Sequence, residues 1–75
     1  MTVSQWLKIN KLDYIHSDFK IVDKRKHVIL NDRLDYLSVR SDEYNANWKK
    51  KCRGKQILTT WETKKGIVLQ IDTYI

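Results

Sequence analysis

From Ile67 to the C-terminus the residues alternate in character. Ile67, Leu69, Ile71 and Ile75 fall on one side, with Thr73 among them, and Val68, Gln70, Asp72 and Tyr74 fall on the other. A period of two is the mark of a strand buried on one face. Gln56–Glu62 repeats the β-prone composition, and Thr63-Lys64-Lys65-Gly66 joins the two runs with Gly at the fourth turn position. The sequence therefore predicts a C-terminal hairpin whose Ile67/Leu69/Ile71 face needs a cover. In 75 residues with one cysteine, that cover has to come from helices rather than from a disulfide.

Helical signals precede the hairpin. Thr2 and Gln5 have the spacing of a capping box, with Met1 and Trp6 at the positions of a hydrophobic staple. Val3, Trp6, Ile9 and Leu12 follow at three-residue spacing, which predicts a helix from residue 3 to about 13. His27–Leu30 reads as a short strand, and Phe19–Val22 as either its partner or a loop. Asn31 as N-cap, Asp32 in the first turn, and Leu34 and Leu37 on one face predict a short helix at about 32–39. Ser41 is the next N-cap, followed by Asp42 and Glu43. Tyr44, Trp48 and Cys52 form one stripe, and Lys49, Lys50, Lys51 and Arg53 load the C-terminal turn before Gly54, so 42–53 is predicted as a helix.

The expected class is α+β in a single domain spanning 1–75. Its order of helix, short strand, helix-turn-helix and C-terminal β-hairpin is that of a winged-helix-like domain. Only Val39-Arg40-Ser41 separates the two consecutive helices, as in a helix-turn-helix.

Charge points the same way. The chain carries +6. The window from Lys49 to Lys65 holds seven basic residues against Glu62 alone, so it contains the whole excess. The cluster Lys24-Arg25-Lys26-His27 is balanced in sequence by Asp18, Asp23 and Asp32. A basic recognition helix followed by a wing tipped with Lys64 and Lys65 is what duplex phosphates would require. The expected nucleic-acid contacts are Lys49, Lys50, Lys51, Arg53, Lys55, Lys64 and Lys65, with Asn45 and Asn47 as candidate adenine readers. Two other partners fit the composition: an acidic protein surface, and an RNA or DNA single strand stacked on Trp48.

The remaining features narrow the class. His16, His27 and Cys52 match no zinc spacing, and with Gly54 and Gly66 as the only glycines there is no phosphate loop. No enzyme, metal or cofactor is expected. No apolar run approaches a membrane span and no signal peptide is visible, which suggests a cytoplasmic protein. The bias toward Lys, Asn, Ile and Tyr suggests an AT-rich coding sequence, as in phages and mobile elements.

Overall fold

A computed structural model describes all residues 1–75. It is an α+β domain in which helices cover one face of a four-stranded mixed sheet. The elements are α1 (Val3–Asn10) with a 3-10 turn at Lys11–Tyr14, β1 (Asp18–Val22), β2 (Val28–Arg33), α2 (Leu34–Leu37), α3 (Asp42–Cys52), β3 (Ile57–Glu62) and β4 (Gly66–Ile71). The strand order is β2-β1-β4-β3. Both outer pairs are antiparallel, and the central pair, β1 with β4, is parallel.

The capping box forms as its spacing requires. Gln5 N donates to Thr2 Oγ1 at 3.3 Å, and Thr2 N donates to Gln5 Oε1 at 2.8 Å. The helix is shorter than predicted and buries Val3 and Trp6, while Ile9 and Leu12 are exposed at 66% and 85%. Helical geometry explains the difference: each three-residue step falls about 60° short of a full turn, so Leu12 lies opposite Val3. The inner stripe is Val3, Trp6, Leu7 and Asn10, and Trp6 stacks on Phe19 at 5.6 Å between centroids.

Phe19–Val22 is a strand, and it is one of the two central strands of the sheet. Phe19 and Ile21 are fully buried against Leu69 and Ile71. β2 runs on to Arg33, with Asn31 paired to Lys20 and Asp32 to Phe19. The predicted helix at 32–39 therefore shrinks to the single turn Leu34–Leu37, and Asn31 does not cap it. Cross-strand pairing outweighs a capping preference worth about 1 kcal/mol. The single short strand expected before the helix pair is thus a full hairpin.

The third helix starts and stops as predicted. Ser41 Oγ accepts from Tyr44 N at 3.1 Å, and Gly54, at φ 70°, turns the chain out of the helix in the left-handed conformation. On its stripe Trp48 and Cys52 are buried, but Tyr44 is 38% exposed. Of the predicted sheet face, Ile67, Leu69 and Ile71 are buried and Ile75 is not.

Two substitutions test this arrangement. Leu69→Ala removes a fully buried side chain from the middle strand pair and should lower the unfolding free energy by about 2–5 kcal/mol in denaturant titration. Gly66 opens β4 directly beside Asp18, and a Cβ there would meet Asp18 O at 1.9 Å. Because that contact is with backbone, Gly66→Ala should force the parallel pair apart at this end, with early loss of amide-exchange protection at Asp18 and Ile67.

Candidate nucleic-acid interface

Strand directions decide where the charges go. β1 ends and β2 begins at the same end of the sheet where β3 begins and β4 ends. α3 runs antiparallel to β2: Tyr44 at its start bonds Asp32 near the end of β2, and Trp48 and Lys51 further on lie beside Ile29 and Leu30. Its C-terminus therefore points to that same end. α1 runs the opposite way, from Met1 O, which accepts from Ile57 N at 2.7 Å, to Tyr14, whose hydroxyl donates to Glu62.

This topology gathers one basic end. The β1–β2 turn brings Lys24, Arg25 and Lys26, the last turn of α3 brings Lys49, Lys50 and Lys51, and the following connection brings Arg53 and Lys55. Only Asp23 and Asp72 share that end, and both are occupied. Asp72 pairs with Lys24 at 2.6 Å. Asp23 is fully buried, and its carboxylate accepts from the backbone N–H groups of Arg25, His27 and Ile75 at 2.8, 2.8 and 3.1 Å. Burial pushes this carboxyl up, but those three donors outweigh it and hold it below the usual carboxylate range. The same bonds pin the turn, so Arg25 and Lys26 project outward and are exposed.

The opposite end holds seven of the nine acids: Asp13, Asp18, Asp32, Asp35, Asp42, Glu43 and Glu62. With Lys11, Arg33, Arg40, Lys64 and Lys65 it nets 5 − 7 = −2. The rest of the molecule, with ten basic residues against Asp23 and Asp72, carries 10 − 2 = +8, so the whole positive excess lies away from the acidic end. Lys24–His27 is balanced by acids in sequence but not in space, since Asp18 and Asp32 lie at the far end of the hairpin.

The predicted contact residues divide accordingly. Lys49, Lys50, Lys51, Arg53 and Lys55 are exposed together. Lys64 and Lys65 are not with them. They occupy the β3–β4 turn, where Thr63 Oγ1 accepts from Lys65 N and Gly66 N, and the six residues of β3 separate them from Lys55 by about 20 Å. Asn45 is committed inside the fold: its Nδ2 donates to Leu37 O at 2.9 Å, and its Oδ1 accepts from Trp48 Nε1 at 3.0 Å. It clasps the α2–α3 corner and is not free to read a base. Asn47 stays exposed on the flank of α3 beside Asn31 and Lys51. Trp48, at 5% exposure, offers no stacking face.

Three residues of the basic end were missed: Arg25, Lys26 and Tyr74. Tyr74 is 60% exposed, with Lys24 Nζ and Arg25 Cζ 5.2 and 5.1 Å from its ring centroid. Local sequence holds no signal for a contact across 49 residues.

Burial pushes the Cys52 thiol up to about 11, with the Lys51 charge opposing, which favours the protonated thiol at neutral pH. No three His, Cys, Asp or Glu side chains converge to hold a metal ion. No helix is long and apolar enough to cross a membrane. No known protein family, curated protein or solved structure matches this chain.

The α3 N-terminus is fixed from the acidic side. Arg40 grips Asp32 with two bonds of 2.8 and 2.9 Å, and Arg33 N and Tyr44 Oη also donate to it. The Arg40 bonds, against the opposing effect of burial, bring the Asp32 carboxyl down to about 2 from an ordinary 3.8. A lowered folded-state value means stabilisation present above the unfolded value and lost as pH falls through the folded one. The stability difference between the parent and Arg40→Ala, on the order of 1–2 kcal/mol at neutral pH, should therefore shrink as pH falls from about 4 to about 2. Urea titration at several pH values measures it.

Proposed function

We propose that this protein binds duplex DNA through its phosphate backbone, with little regard to base sequence, by docking its basic end on the duplex. One observation carries the reading: two segments distant in sequence, 25–26 and 49–55, bring seven cations without an acidic partner to one end of the sheet (Arg25, Lys26, Lys49, Lys50, Lys51, Arg53 and Lys55). Lys and Arg spread over one face are the footprint of phosphate contact.

The mode of docking follows from the direction of α3. A recognition helix reads base edges with its N-terminal residues. Here the first turn carries Asp42 and Glu43, which phosphates repel, and the cations are at the other end. Contacts to phosphates position a protein without specifying sequence, so an architectural role fits better than base readout. Of the winged-helix reading we keep the order of helix pair and hairpin, and a docking role for the end of α3. The turn at Lys64 and Lys65 lies too far away to share the same contact.

Lys26 supports the assignment independently. It is the one non-glycine residue with positive φ, at 64°. A side chain in that conformation costs about 1–2 kcal/mol, and glycine or asparagine is the usual occupant. Retaining lysine at the tip of the β1–β2 turn sets charge above backbone comfort, which is characteristic of functional positions.

Fluorescence anisotropy with a labelled random-sequence duplex tests the proposal. Lys26→Gly should melt no lower than the parent yet bind more weakly. Arg25→Ala with Lys26→Ala should reduce the slope of log affinity against log salt by about 1–2. Lys64→Ala with Lys65→Ala should leave affinity and slope unchanged. If only the Lys64/Lys65 variant loses affinity, the hairpin turn and not the basic end is the docking element. Binding of polyglutamate with equal affinity and no preference for duplex would instead favour an acidic protein partner.

A further inference from the structure

α1 and α3 lie antiparallel on the same face of the sheet but barely touch each other. Between them runs an open groove of about 1030 Å³. Its floor is apolar: Leu7 from α1, Leu37 from α2 and Ala46 from α3 are accessible, and the buried Leu34, Trp48 and Cys52 lie beneath them. Its walls are basic. Lys8 and Lys11 stand one turn apart on the α1 side, and Lys49, Lys50 and Arg53 span one turn on the α3 side. None of these five forms an ion pair. Arg40 also borders the groove, but it is held by Asp32. Asp42 is the single acid.

We propose that this groove docks an acidic amphipathic helix of a partner protein. A third helix laid between α1 and α3 would set an apolar stripe on Leu7, Leu37 and Ala46, directly above the buried Trp48. Its flanking carboxylates, repeated at i, i+3 and i+4, would then meet cations that recur at the same one-turn interval on both walls. The floor is fixed in advance, because Asn45 ties Trp48 Nε1 to the carbonyl of Leu37, so little ordering is needed on binding.

Other occupants match the groove less well. A duplex presents phosphate ridges and has no apolar surface for the floor. A single strand needs an exposed aromatic face to stack on, and Trp48 is 5% exposed. A second copy of this chain offers no acidic helix, since its acids are dispersed over strands, loops and helix ends. The inference is independent of the duplex-binding reading. It adds one link to it: Lys49, Lys50 and Arg53 belong to both surfaces, so a docked helix and a duplex would compete for them.

The probe is a synthetic peptide of about 14 residues, long enough to span α3, acetylated and amidated, with leucines at i, i+3, i+4 and i+7 and glutamates flanking them. Its binding to the isotope-labelled full chain is followed by amide and indole NMR shifts. The expected result is saturable binding with a dissociation constant on the micromolar scale, and shifts centred on Leu7, Leu37, Ala46 and the Trp48 indole. Lys8→Glu combined with Lys49→Glu should weaken it by about tenfold or more while the spectrum stays folded, and so should glutamine in place of glutamate in the peptide. The proposal is overturned by any of three results: no saturable shift at about 1 mM peptide, shifts confined to Arg25, Lys26 and Lys55, or equal binding by the charge-reversed variant. It is also overturned if oligothymidine moves the floor resonances and the peptide does not. Loss of duplex binding in Arg25→Ala/Lys26→Ala leaves these resonances unaffected, so the two readings fail separately.

Discussion

The parallel pairing of β1 with β4 holds this domain together. Each strand belongs to its own antiparallel hairpin, and their pairing is the seam that makes two hairpins one sheet. The four most deeply buried sheet residues, Phe19, Ile21, Leu69 and Ile71, all lie on this pair. Parallel strands need a crossover. Here β2, α2, α3 and β3 all belong to it, and the two helices lie across the face that the seam buries. The seam thus sets the direction of α3, and with it the end at which the lysines emerge.

Charge polarity follows from the same geometry. A hairpin sends its turn to one end of a sheet and its termini to the other. The β1–β2 turn is basic and its strand ends carry Asp18 and Asp32, so folding separates charges that sequence intermixes. At the basic end the nearest carboxylate, Asp23, is enclosed by three amide donors, and the field there is set by lysine and arginine.

What could be read from the chain was local. The capping box at Thr2 and Gln5, the bounds of α3 and the turn at Thr63–Gly66 each depend on residues within four positions of one another, and each formed as expected. What could not be read depended on partners far away. Phe19–Val22 is too short to declare itself, and only Leu69, 48 residues beyond Ile21, makes it a central strand. Asn31 and Asp32 carry cap chemistry, yet a register with Lys20 and Phe19 claims them for β2. Asn45 looked free for a ligand because Leu37 O and Trp48 Nε1 meet only when α3 folds back on α2. The candidate interface was half legible: the lysines of α3 were visible in sequence, while Arg25, Lys26 and Tyr74 join them only through sheet topology.

The seam also has a meaning in time. During synthesis β1 leaves the ribosome early, but its parallel partner is not made until residues 66–71, after both remaining helices and a further strand. Until then the β1–β2 hairpin exposes Phe19 and Ile21 and one unpaired edge, the kind of surface through which unfinished chains pair with one another. Native contacts at this sequence separation also make folding slow for a domain of this size. The long interval keeps the nascent hairpin adhesive, and its arginine and lysines at the turn supply mutual repulsion between unfinished chains before they have any other work to do.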